Sequence, residues 1–154
     1  YSINSKNASV AFNAGIAYFN QYNALDELTM KNIKALQTLN ANKPAAPKDP
    51  KKKAAFDAAF KVQQDSIKKL NVVLEPSIKE KVDGAIEWME KAYNGLKDKD
   101  KLERVEKNVM GRTVDILATL YSIKRDKARG KDQKAFDDFD AKFNVFDKLH
   151  DKYN

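Results

Sequence analysis

Asp140, Asp147, His150 and Asp151 lie near the end of the chain, and Asp147-Lys148-Leu149-His150 has the three-residue spacing that sets two side chains on one helical face. Such a pair could share a metal ion or trade a proton. The chemistry does not extend further. His150 is the one histidine and there is no cysteine, which excludes a His-rich metal centre and any Cys-ligated zinc or iron–sulfur site. The paired Glu-x-x-His motifs of di-iron bundles are absent as well. With no second helix offering ligands, the four residues read as a solvated acidic face carrying one ordinary histidine. No metal or cofactor is expected.

Nucleophilic chemistry needs a hydroxyl or thiol beside a base that a third group orients, and no Gly-x-Ser-x-Gly elbow or comparable frame occurs. The five glycines are scattered at 15, 84, 95, 111 and 130, so there is no Gly-rich phosphate-cradling loop and nucleotide-dependent chemistry is not expected. A non-enzymatic protein is the expectation. Tyr18, Tyr22, Trp88, Tyr93 and Tyr121 could border an apolar ligand cleft, since amphipathic aromatics sit where a core meets its mouth. Plain core and boundary packing is the simpler account of them.

Two basic clusters stand out. Lys124, Arg125, Lys127, Arg129 and Lys131 fall at the end of a helical pattern, where cations complement the helix dipole. Lys48, Lys51, Lys52 and Lys53 fall at the start of one, and the three in its first turn, Lys51, Lys52 and Lys53, oppose the dipole at about a few tenths of a kcal/mol each. That cost makes the second group a candidate anion-binding site, although most charge runs are only solvated ends.

The elements that would position these residues are helices. From Ser5 to Ala41, the positions Phe12, Ile16, Phe19, Tyr22, Leu25, Leu28, Ile33, Leu36 and Leu39 step mostly by three and four. Ala8, Ala11, Ala14, Gly15 and Ala17 give this helix a small-residue surface. Pro44, Pro47 and Pro50 close it in a linker, and Asp49 caps the next helix. Phe56, Phe60, Gln63, Ile67, Leu70 and Leu74 carry that helix to about Glu75. At Pro76 the chain must break or kink. Ser77 with Glu80 reads as a capping box and favours a reversal with a fresh helix at Ile78, whereas the heptad phase continuing through Val82, Ala85, Met89, Tyr93 and Leu96 favours one rod. Asn94-Gly95 is the expected C-cap.

Asp100 and Glu103 resemble a cap pair for a helix over 101–129, with Leu102, Val105, Val109, Ile116, Leu120 and Ile123 inward and Gly130 as its stop. Asp132 should cap the last helix. Its stripe of Phe136, Phe139, Phe143, Phe146 and Tyr153 is expected to be the core element that the other helices cover.

The fold class expected is therefore all-α, an up-and-down helical bundle of four to five helices in a single domain over 1–154. With a reversal at Pro76 the two basic clusters lie at opposite poles; with a kink they meet at one.

At 42% hydrophobic and 33% charged residues, with no apolar run near the roughly 18 residues of a membrane span, the composition suits a soluble helical domain. The net charge of +7 admits anionic partners, but the lysines are interleaved with 22 acidic residues and no nucleic-acid-binding motif appears. The expected function is a binding or interaction module for a protein partner or a small apolar ligand. A basic protein binding nucleic acid or another anionic surface is the alternative. The start at Tyr1 without methionine, the absence of cysteine and the Pro/Lys linker favour an extracytoplasmic location.

Overall fold

The computed structural model describes the backbone of residues 5–154 and the side chains of residues 7–154. Four helices account for nearly all of it: α1 (Ser5–Ala41), α2 (Pro50–Leu96), α3 (Arg104–Ala128) and α4 (Gln133–Tyr153). No strand occurs among the described residues. The chain divides into two compact units, one of residues 1–20 and 81–154, the other of residues 21–80. Both α1 and α2 run through the two units.

The expected reversal at Pro76 does not occur: α2 is one helix of 47 residues with Pro76 inside it. A helical proline costs about 3 kcal/mol. Against this stands a single stripe on which Phe60, Ile78, Val82, Ile86 and Met89 are all buried, each worth about 1.5–3 kcal/mol. Reversal would discard the phase that buries residues on both sides of the proline. Pro76 itself is exposed, so its ring costs no packing, and Ser77 and Glu80 lie within the helix rather than capping one. Gly95 likewise falls in the last turn of α2 and is not a left-handed cap.

Other termini follow local chemistry. The Asp49 carboxylate accepts from the Lys52 amide at 3.0 Å, and that of Asp132 accepts from the Ala135 amide at 3.0 Å. Gly130, with φ of 71°, takes the left-handed conformation that closes α3. The start of α3 differs from expectation. Glu103 rather than Asp100 is the cap residue, and its amide donates to Glu106 at 3.1 Å. Glu106 is buried, and Lys99 pairs with its carboxylate at 2.6 Å.

In the unit of residues 1–20 and 81–154, consecutive helices are antiparallel. Asp83 and Glu90 of α2 meet Lys124 and Tyr121 of α3, while Asp115 and Arg125 of α3 meet His150 and Asp140 of α4. The core is formed by Met89 and Leu96 of α2 with Met110, Val114, Leu117 and Leu120 of α3. Ala8, Ala11 and Gly15 of α1 are the small face that lets α2 approach: a Cβ at Gly15 would lie 2.8 Å from Met89 Cε. On α3 the inward face includes Met110, Thr113 and Leu117, whereas Val105 is exposed.

The phenylalanine stripe is not the centre of this core. Only Phe146 is buried, stacked 5.8 Å from the Tyr121 ring and edge-on to Tyr93 at 5.3 Å. Phe136, Phe139 and Phe143 are half-buried, because cationic side chains of α3 cover them instead of apolar ones.

Candidate docking surface

Residues 21–80 form an antiparallel hairpin from the second part of α1 and the first part of α2, joined by the proline linker. Polar side chains tie its helices together. Asn32 Nδ2 donates to Asn71 Oδ1 at 2.7 Å, and Gln64 Nε2 donates to Asn40 Oδ1 at 2.7 Å. At the linker, Lys43 pairs with Asp57 at 3.2 Å and lies 4.7 Å from the centre of the Phe60 ring.

Two helices can shield only one stripe each. In this hairpin Tyr22, Phe60 and Ile78 are the large buried hydrophobics, and burial together with Asp26 pushes the Tyr22 phenol up from its ordinary pKa. The remainder faces outward. On α2, Val62 is 65% exposed and Val73 74%, with Leu70 and Val72 also open; on α1, Met30 is 57% exposed beside Leu28 and Ile33. Leu28, Ile33 and Leu70, expected on inward faces, are therefore among the exposed residues.

On α2 the exposed residues have their own period. Ala55, Ala59, Val62, Ser66, Lys69 and Val73 follow one another by four and three, all exposed, on a side of the helix about 120° around from Phe56, Phe60 and Ile67. A helix with one apolar stripe is satisfied by one neighbour; this one carries a second, small-residue stripe without a neighbour in its own unit. The signal was present in the sequence, but the bulkier phenylalanine stripe masks it.

Lys51, Lys52 and Lys53 are exposed at the start of α2 and make no ion pair among the described residues; Lys48 is exposed in the linker before them. The second basic cluster is spent on packing. Lys124 pairs with Asp83 at 2.7 Å and lies over Phe139, and Arg125 pairs with Asp140 at 3.1 Å and lies over Phe143. Arg129 pairs with Asp126 at 3.0 Å and lies over Phe136. The two clusters belong to different units.

The five aromatic candidates are dispersed. Tyr93 and Tyr121 meet around Phe146, Tyr18 rests on Gly84 with Lys81 over its ring, and Trp88 is covered by Lys91 at 4.3 Å. Tyr22 is in the hairpin. The Tyr121 hydroxyl donates to Glu90 at 2.5 Å and accepts from Lys142 at 2.9 Å; burial and Glu90 push its pKa up to about 12, too high for a proton shuttle near neutrality. In α4, Asp140 is engaged by Arg125 and Asn144, and His150 Nδ1 lies 2.8 Å from Asp115 of α3. Among the described residues no three acidic or histidine side chains converge as metal ligands would, and no helix is long and apolar enough to cross a membrane. In comparisons with known proteins, the chain matches no family model, no curated protein and no solved structure.

Proposed function

We propose that this protein is a non-enzymatic docking module whose hairpin, residues 21–80, receives a protein partner along the outer stripe of α2. The observation that carries this is the exposure of Val62 and Val73 on one stripe of a helix whose other face is already packed. Large apolar side chains left open on one helical stripe mark sites of association. The stripe's small residues, Ala55 and Ala59, allow a helix to approach closely, and Lys51, Lys52, Lys53 and Lys69, which make no ion pair among the described residues, favour a partner with acidic residues at its rim. The proposal includes an extracytoplasmic location, which the Pro- and Lys-rich linker suits.

Photo-cross-linking from position 73 in the source cell, followed by reconstitution with the purified cross-linked protein, tests the proposal. Val62→Glu with Val73→Glu should weaken binding at least tenfold, and Val145→Glu, exposed on α4, should leave it unchanged. Equal affinity for all three proteins would overturn it. The second reading, attachment to nucleic acid or another anionic surface, draws on the same unpaired lysines. Submicromolar binding to random DNA with a steep salt dependence, lost when Lys51, Lys52 and Lys53 become glutamine, would favour it instead.

A further inference from the structure

Away from the hairpin, within the unit of residues 1–20 and 81–154, an open groove of about 400 Å³ runs between the start of α1 and the start of α3. Its floor is apolar, made by the buried faces of Phe12 and Val109, and Val105, 69% exposed, forms one wall. The remaining lining is polar or cationic: the hydroxyl of Ser9, the amides of Asn13 and Asn108 and the guanidinium groups of Arg104 and Arg112. Among the described residues no carboxylate lines it.

The arginines are unusual in this chain. It has 29 basic residues but only four arginines, so lysine is the default cation. Arg125 and Arg129 are accounted for by Asp126 and Asp140. Arg104 and Arg112 make no ion pair among the described residues, and Arg112 is held 5.1 Å from the centre of the Phe12 ring. Arg104, Asn108 and Arg112 succeed one another by four, along one edge of α3, with about 12 Å of helix rise from first to last. Their side chains are long enough to converge above Asn108. A planar guanidinium presents a fixed fork of donors that matches a carboxylate or phosphate, which a lysine ammonium does not. Placing Arg104 in the first turn of α3, against the helix dipole, costs stability that an anion bound there would recover.

We propose that this groove binds a small amphiphile with an anionic head, its carboxylate or phosphate held by Arg104 and Arg112 and its apolar body laid along Phe12, Val105 and Val109. The volume suits such a molecule, since small-ligand sites begin at about 300 Å³. The site lies outside the hairpin and is independent of the docking proposal.

The test is a titration of the 15N-labelled full chain with octanoate, octyl phosphate, octanol and acetate, followed by the backbone amide signals. Octanoate or octyl phosphate should give saturable shifts centred on Ser9, Asn13 and Asn108, and whichever binds more tightly identifies the head. Octanol, which lacks the charge, and acetate, which lacks the body, should each bind at least tenfold more weakly. Arg104→Gln with Arg112→Gln should reduce affinity for the charged amphiphile at least tenfold with an unchanged thermal melt, whereas Arg129→Gln should have no effect. Octanol binding as tightly as octanoate, shifts that do not saturate, or full affinity in the Arg104→Gln, Arg112→Gln protein would each overturn the proposal.

Discussion

The ring of Tyr18 packs against Gly84, so close that a Cβ at position 84 would stand 2.7 Å from its Cδ1 and Cε1. Glycine inside a helix costs about 1 kcal/mol against alanine, and here close packing of α1 on α2 compensates it. Gly84→Ala should therefore destabilise the protein by about 1–3 kcal/mol despite its better helix propensity, as overpacking does. Chemical denaturation measures this. A stabilised Gly84→Ala protein would show that the Tyr18 ring moves aside freely.

Phe146 and Phe143 share a stripe but not an environment. Phe146 is buried between Tyr93 and Tyr121, whereas Phe143 is half-exposed beneath Arg125. Phe146→Ala should cost about 3–5 kcal/mol through the cavity it leaves, and Phe143→Ala distinctly less. Equal denaturation midpoints would contradict this ranking of the two rings.

Because α2 continues through Pro76, Pro76→Ala restores a backbone donor where the helix already runs. A gain of about 1–3 kcal/mol is expected. Ser77→Ala should be neutral within about 0.5 kcal/mol, since Ser77 caps nothing. Thermal melts of both variants decide the matter; a clear loss in the Pro76 variant would mean that the proline sets a bend the packing requires.

The Tyr121 proton is held more tightly in the folded protein, with a pKa of about 12 against an ordinary value of about 10. Its stabilising contribution is complete below the unfolded pKa and is lost as pH rises from about 10 through about 12. Tyr121→Phe should flatten this part of the stability profile. Ultraviolet titration of tyrosinate absorbance should find one tyrosine fewer with the delayed ionisation in the variant than in the parent.

His150 is protonated more readily than a free histidine, first because of its hydrogen bond to Asp115 and then because of that carboxylate's charge, with Asp151 and Asp147 adding to the effect and Asn154 also in contact. The link between α4 and α3 is thus fully made below pH 6.5 and weakens as pH rises through the raised folded value. As the one histidine, it gives a single NMR titration curve. Its midpoint should lie above 6.5 and fall back in Asp115→Asn; an unchanged midpoint would remove Asp115 as the cause.

Local chemistry was legible in the sequence by itself: the helical class, the span of α1, the linker, the caps at Asp49 and Asp132 and the stop at Gly130 all depend on residues within a few positions of one another. Gly15 was legible too, as a small residue awaiting a close neighbour. Tertiary structure alone decided whether Pro76 ends a helix, because a local cap signal and a long-range burial stripe compete there and only the second carries enough energy to prevail. It also decided which stripe is core. Spacing marks Phe136, Phe139 and Phe143 as one apolar face, but cannot say that Lys124, Arg125 and Arg129 lie over it. Nor can it say that Val62 and Val73 find no neighbour within the hairpin. Periodicity specifies which side chains share a face; what that face meets depends on residues distant in the chain, and burial energy is set by that meeting.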